Sequence, residues 1–174
     1  MKRDHRGFSM VELAVVIAII GILAGASVSM FGQIRYANAM KAVEAVSSML
    51  DSQRITTMSR KETQYLYIYH LDDGYYMKTL KDDGAGYDPF LDSFNADLLD
   101  ASGTKICNNA IEIYIDSESG TLVSGNEIIR IVYKRSGVFD TSAKGTKVSK
   151  ILFVGSGGNH TISLIMETGK HYTD

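Results

Sequence analysis

The sequence contains very little proline, cysteine or tryptophan, and these shortages exclude several classes of protein. Of its 174 residues, one is proline, one is cysteine and none is tryptophan. A single cysteine, Cys107, cannot form an internal disulfide, which excludes a small secreted fold held by disulfide bridges. A single cysteine also cannot build a zinc site of several thiolates. The net charge of −2 gives the chain no general attraction for nucleic acid.

Charge is also missing from one long segment near the N-terminus. Leu13 to Ile34 comprises 22 consecutive uncharged residues, mostly Val, Ile, Leu and Ala. A helix of that length is about 33 Å long, and the hydrocarbon core of a bilayer is about 30 Å thick. Lys2, Arg3 and Arg6 precede the segment, so the positive-inside rule keeps this end in the cytoplasm. We therefore expect a single-pass helix in the cytoplasmic membrane and an exported head.

A carboxylate, Glu12, lies at the cytoplasmic end of this apolar segment. A charge at the centre of a membrane helix costs about 3 kcal/mol, and less near the interface. Two interpretations stay open: Glu12 has a partner that offsets the cost of its charge, or it is a solvated residue at the start of the helix. An ordinary secretory signal cut after Ala26 is disfavoured, because the apolar segment is too long and is preceded by this charge.

The residues around Glu12 resemble a known processing signal. Residues 6–12, RGFSMVE, with the apolar helix after them, are similar to the class III signal of type IV pilins and type II secretion pseudopilins. The resemblance implies that residues 1–7 are a leader peptide. A prepilin peptidase would cut between Gly7 and Phe8 and methylate the new amino group of Phe8. Glu12 would then meet the Phe8 ammonium of a neighbouring subunit and set the register of subunits in a filament.

This resemblance implies a structural subunit, with no enzymatic activity and no cofactor or metal. The chain would be a pilin or pseudopilin of a type IV pilus or a type II secretion-like filament, polymerised through its N-terminal helix. Its partners would be other pilin subunits, the prepilin peptidase, the membrane and the membrane assembly platform. Its final location would be an extracellular or periplasmic filament. The alternative function is a singly membrane-anchored extracellular ligand-binding module that does not polymerise.

Two glycines within the apolar segment have the spacing of a helix-packing motif. Gly21 and Gly25 are four residues apart, as in the small-xxx-small pattern that lets membrane helices approach closely. Glycine is also common in membrane helices generally. Two explanations therefore stay open: the glycines act in helix packing, or they reflect the usual glycine content of such helices. Many members of the pilin family have a proline in the middle of this helix, whereas the single proline here is Pro89.

Residues 35–60 change to an amphipathic pattern. Apolar residues recur at spacings of three and four, including Tyr36, Met40, Val43 and Leu50. We predict one helix over residues 8–60, about 53 residues long. Its first part, residues 8–34, forms the transmembrane or filament-core half, and residues 35–60 pack their apolar stripe on a sheet.

Residues 61–174 predict a β-rich head. The fold class is therefore α+β: a long N-terminal helix packed on an antiparallel β-sheet, as in the pilin fold. The polar segment 81–109 is predicted as an insertion loop, with or without one short helix at Pro89–Leu99. The order of elements also resembles the GspH/FimT-like minor pseudopilins, through residues 52–54, 149–153 and 162–170. The predicted strands are Gln64–His70, Tyr75–Leu80, Ala110–Asp116, Ile128–Lys134, Val148–Val154 and Thr161–Glu167.

The head has no motif for catalysis and an uneven distribution of charge. Its histidines lack metal-ligand spacing, and residues 155–158, GSGG, predict a hairpin turn, with no lysine for a phosphate-binding loop. Residues 61–127 carry a net charge of −9, and residues 128–150 carry +5. These patches are interpreted either as solvated faces or as complementary surfaces of neighbouring subunits. Binding of DNA by the basic patch is disfavoured, because the head as a whole is acidic and aromatic residues are not interleaved with the cations.

Overall fold

The structure is a computed structural model that divides the chain into two units, Met1–Ile34 and Arg35–Asp174. For residues 26–32 the structure describes the backbone alone. The described residues are 9–60, 63–81, 99–116, 120–124, 127–141, 148–155 and 158–174.

The helix that the sequence predicts over residues 8–60 is observed as α1, Met10–Ser59, and is 50 residues long. Its end coincides with a local loss of helix propensity, because the β-branched residues Ile55, Thr56 and Thr57 crowd the last turns. The hydroxyl of Ser59 donates to the carbonyl of Thr56 at 3.2 Å, which satisfies one of the last backbone acceptors.

The head contains two antiparallel sheets, and with α1 they confirm the predicted α+β class. In the first sheet the strand order is β3-β2-β1-β6, and in the second it is β5-β4-β7-β8-β9. The strands are β1 Gln64–Leu71, β2 Gly74–Lys81, β3 Thr104–Cys107, β4 Ile111–Ile115, β5 Thr121–Leu122, β6 Ile129–Val132, β7 Lys150–Gly155, β8 Gly158–Ile165 and β9 Lys170–Thr173.

Six of these strands overlap the six that the sequence predicts, and three were missed. The missed strands β3, β5 and β9 have two to four residues each, which is too short for a period of two to be visible. Strand β3 lies within the segment 81–109 that the sequence predicts as a loop. The short helix predicted at Pro89–Leu99 lies, except for Leu99, outside the described residues.

Two hairpins form where the sequence predicts turns. Leu71 pairs with Gly74 across Asp72-Asp73, and Gly155 pairs with Gly158 in the hairpin of β7 and β8. Gly74 has a φ of +147°, and a side chain there would meet the backbone carbonyl of Cys107 on β3. The close approach of β3 therefore requires glycine at this position.

One hydrophobic core joins the head part of α1 to both sheets. Val43, Val46 and Leu50 lie in it, as the amphipathic pattern predicts, together with the fully buried Ala39 and Ala42. The predicted stripe is wrong at its first two positions, because Tyr36 and Met40 are 44% and 47% exposed. The small side chains of Ala39 and Ala42 occupy the buried face instead, and they leave room for the helix to lie close to the sheets.

Strand β1 is buried on both faces, although Tyr and aliphatic residues alternate along it, a pattern typical of a half-buried strand. Leu66 and Ile68 point into the main core. Tyr65, Tyr67 and Tyr69 form a second cluster with Tyr76, Leu99 and Val132. The Tyr69 hydroxyl donates to the carbonyl oxygen of Asp100 at 2.7 Å, and burial, with the nearby Asp100 carboxylate, raises the pKa of Tyr69 to about 12.

Candidate assembly site

The segment Met10–Leu23 of α1 exposes its apolar side chains on all sides. Met10 is 91% exposed, Val11 71% and Ile22 73%. An apolar surface of this extent in a single chain marks a site of contact with lipid or protein. Within the described residues, no helical stretch meets the length and hydropathy expected of a membrane span. The other large exposed apolar residues between Met10 and Leu23 are Leu13, Val15, Val16, Ile17, Ile19, Ile20 and Leu23.

A capping box formed by Ser9 and Glu12 starts the helix. The Ser9 hydroxyl accepts hydrogen bonds from the backbone N–H of Val11 at 3.1 Å and of Glu12 at 3.4 Å. In return, the backbone N–H of Ser9 donates to Oε2 of Glu12 at 2.9 Å. This reciprocal pair satisfies backbone donors that the first turn of a helix leaves unpaired. One carboxylate oxygen of Glu12, Oε2, is therefore used within the subunit.

The capping box was missed from the sequence, although its signal is present there. Ser9 and Glu12 are spaced as S-x-x-E directly before a hydrophobic run, which is the sequence pattern of this motif. The structure therefore places Glu12 at the start of the helix, which is one of its two interpretations, and a partner that offsets its charge stays a prediction.

Of the other residues singled out in this region, two are described and two are not. Gly7 and Phe8, the predicted cleavage and methylation site, lie outside the described residues. Gly21 and Gly25 are exposed, and a Cβ added to either one would meet no atom within 4 Å. Both glycines therefore present bare backbone on the surface of α1.

In the head, His171 ties the terminal strand β9 to α1. Its Nε2 lies 2.7 Å from the hydroxyl of Ser47, and its Nδ1 lies 4.0 Å from Oδ1 of Asp51. Ser47 and Asp51 are four residues apart and share one face of the helix. The His171 side chain is only 8% exposed. Strand β9 lies at the edge of the second sheet with β8 as its neighbour, and the contact of His171 with α1 holds it on a second side.

The burial of His171 predicts that the stability of the head falls in mild acid. Burial lowers the pKa of His171 below its usual 6.5; Asp51 opposes the shift and Arg54 adds to it. The unfolded chain therefore binds a proton more readily, so this contribution to stability is complete above pH 6.5 and is lost as the pH falls through the folded pKa. Melting temperatures between pH 7.5 and 5 should fall for the native chain, and His171→Gln should flatten this decline. An equal decline in both proteins would contradict the assignment.

Cys107 is buried on β3. Burial raises the pKa of its thiol to about 12. The thiol is therefore protonated at neutral pH and is a poor nucleophile. Its contacts are those of a small core residue, and it belongs to the main hydrophobic cluster.

Asp73, in the turn between β1 and β2, is held by neighbouring side chains. Its carboxylate accepts from Nζ of Lys105 at 2.7 Å and from the hydroxyl of Tyr76 at 2.8 Å, and these bonds lower the pKa of Asp73.

Among the described residues, no group of three or more histidine, cysteine or acidic side chains is arranged to hold a metal ion.

Comparison with known families identifies the class of the N-terminal signal. Residues 2–28 match the model of the prokaryotic N-terminal methylation motif. The chain therefore carries a class III prepilin signal, consistent with a type IV pilin or pseudopilin. The motif supports a pilin-type precursor that is processed by prepilin peptidase, and it indicates a structural subunit. The match does not reach the residues that carry the resemblance to GspH/FimT-like proteins. No curated protein and no solved structure matches the chain.

Proposed function

We propose that this chain is a structural subunit of a type IV pilus or a type II secretion-like filament and that it polymerises through the N-terminal half of α1. The observation that carries this proposal is the exposed apolar surface of Met10–Leu23, which lies within the residues that match the prepilin signal. A surface of this kind needs an apolar environment, and the membrane supplies it before assembly. Packing against the same helix of neighbouring subunits supplies it afterwards.

Glu12 sets the register of this packing. After cleavage, the new ammonium group of Phe8 lies four residues before Glu12 in sequence, close to the capped start of the helix. A charged pair between Glu12 of one subunit and Phe8 of the next is attractive in a medium of low dielectric, although desolvation offsets much of the gain. A subunit shifted along the filament would bury both charges without a partner, which is far more costly. The pair therefore selects one alignment.

The same proposal gives the chain its location and its partners. The precursor is a single-pass protein of the cytoplasmic membrane with an exported head, and the mature chain enters an extracellular or periplasmic filament. Other pilin subunits and the prepilin peptidase contact its N-terminal segment, and the membrane assembly platform moves it into the filament. Gly21 and Gly25 act in helix packing, because their bare backbone admits close approach of a neighbouring helix.

Intact-mass analysis of the membrane-extracted chain tests the proposal against a solitary anchored binding module. We expect a chain that starts at Phe8 and carries one additional methyl group, because both modifications belong to the prepilin pathway. A host strain without prepilin peptidase is the matched control, and there the mass should include residues 1–7. A chain that keeps Met1 in the presence of the peptidase, or that starts near Ser27, would contradict the proposal.

A further inference from the structure

A groove with acidic and apolar walls lies beside the head part of α1. It has a volume of about 600 Å³ and lies between α1 and residues of β8 and β9. Tyr36 and Met40, the two residues that depart from the predicted core stripe, form part of its apolar wall. Its charged lining residues are Glu44, Asp51 and Asp174, and no lysine or arginine belongs to its described lining. An apolar groove with three carboxylates fits a partner that is cationic.

A basic turn of the same head is well placed to be that partner. The turn that follows β6 exposes Lys134, Arg135 and Ser136. It is closed by a hydrogen bond from the Gly137 N–H to the Lys134 carbonyl at 2.8 Å. Nε of Arg54 donates to the Gly137 carbonyl at 3.0 Å, which fixes the turn to α1. The backbone that carries Lys134 and Arg135 is therefore ordered before binding, which lowers the entropy lost on binding. Nζ of Lys134 also lies 3.7 Å from Oδ1 of Asp140 in the same head.

The groove and the turn lie at different positions along α1. The groove is lined by helix residues from Tyr36 to Asp51, whereas the turn contacts Arg54 and Met58. From Glu44 to Met58 the helix rises by about 21 Å. The Tyr36 end of the groove is therefore far from the turn along the helix axis, whereas Asp51, at its other end, is one helical turn from Arg54.

We propose that the acidic groove of one head receives the Lys134–Gly137 turn of a second copy of the chain, in a head-to-tail contact. Because the two surfaces differ, each head keeps a free groove or a free turn after pairing, and the contact repeats as in an open helical filament. This inference rests on the proposed function, and it names the contact that joins the heads while the helices pack in the core. A recess next to the groove contains Arg54 and Lys170 beside Asp51. Because these two cations offset the charge of Asp51, the acidic surface lies towards the Tyr36 end of the groove.

Cysteine cross-linking within assembled filaments tests the contact. Ser48 lines the groove and Ser136 lies at the tip of the turn, and both are exposed. The full-length chain with Ser48→Cys and Ser136→Cys, treated with a short bis-maleimide, should give a ladder of dimers, trimers and larger products. Each single variant and the pair Ala110→Cys with Ser136→Cys are the matched controls, and they should stay monomeric.

The remaining outcomes overturn the contact in distinguishable ways. A single dimer band without larger products would show a closed two-fold pair and contradict the head-to-tail arrangement. Filaments that are visible by electron microscopy but give no cross-link, or a cross-link to a different polypeptide, would refute this contact and leave the proposed function standing. The absence of both filaments and cross-links would overturn the proposed function together with this inference.

A charge exchange provides an independent measurement of the same contact. Arg135→Glu places a carboxylate opposite the acidic groove, and Glu44→Arg places a cation opposite the basic turn. Because like charges repel, each variant should lower the yield of filaments about tenfold, and the double variant should restore it. Glu127→Arg changes an exposed carboxylate that does not line the groove, and it should have no effect. A double variant as poor as the single ones would contradict the pairing.

Discussion

Replacement of Glu12 by alanine is expected to lower incorporation into filaments by at least about a hundredfold while cleavage between Gly7 and Phe8 continues. Removing one partner of a buried ion pair costs about 3–5 kcal/mol, since the other charge stays buried without a partner. Each 1.4 kcal/mol corresponds to a factor of ten. The measurement compares the amount of mature chain in sheared filaments with the amount in the membrane.

Two further variants separate the charge of Glu12 from its role at the helix start. Glu12→Gln keeps an oxygen that accepts from the Ser9 N–H, so it preserves the capping box and removes the charge. Ser9→Ala removes the hydroxyl that caps the helix and keeps the carboxylate, at a cost of about 1 kcal/mol in helix stability. If the charge sets the register, Glu12→Gln should fail as Glu12→Ala does, and Ser9→Ala should still assemble.

The reverse pattern would assign Glu12 to the helix start alone. Normal assembly of Glu12→Gln, together with failure of Ser9→Ala, would mean that the carboxylate acts through the capping box. Normal assembly of Glu12→Ala would remove any role for the carboxylate in register. Mass analysis of the membrane fraction is the necessary control, because a variant that is not cleaved cannot report on assembly.

Gly169→Ala is expected to destabilise the head by about 3 kcal/mol and to lower its melting temperature by roughly 10 °C. Gly169 has a φ of +65° and directly precedes the first residue of β9, Lys170. A Cβ at this position would overlap the carbonyl oxygen of Gly137 and lie 2.9 Å from Cα of Val138. Both are backbone atoms, and Arg54 holds the Gly137 carbonyl, so the strain cannot be relieved by a side-chain rotation.

Gly155→Ala is the matched control for this substitution. An added Cβ at Gly155 would lie 3.7 Å or more from its nearest neighbours, which is ordinary van der Waals contact. We therefore expect its melting temperature to stay close to that of the native chain, as measured by circular dichroism of the full-length protein in detergent. Equal melting temperatures for Gly169→Ala and Gly155→Ala would contradict the close approach of Gly169 to the backbone of Gly137.

Much of the fold could be predicted because its signals are local. The uncharged segment after Glu12 and the spacing of three and four residues that follows it predict one helix over residues 8–60, and α1 is observed at Met10–Ser59. The alternation from Gln64 and the turn at Asp72-Asp73 predict the first hairpin, which forms with its turn at those residues. Each of these features depends on neighbours in sequence, so the pattern alone carries the information.

The features that could not be predicted depend on contacts between distant residues. The burial of Tyr67 on the second face of β1 needs a covering segment that includes Leu99, and the sequence around β1 does not contain it. The exposure of Tyr36 depends on how closely the sheets approach Ala39. His171 pairs with Ser47, which lies 124 residues away, and no local spacing indicates this contact. The signal at residues 2–28 could be recognised from sequence because it is a linear motif, which depends on consecutive residues and not on contacts between distant ones.

We propose that the processed N-terminal helix packs beside copies or relatives of itself in a filament. Mass spectrometry of purified filaments from cells that produce the chain tests it most directly. The account predicts that these filaments contain this chain and that its first residue is N-methylated Phe8. Filaments that lack the chain, while the membrane holds it with residues 1–7 still attached, would contradict the account.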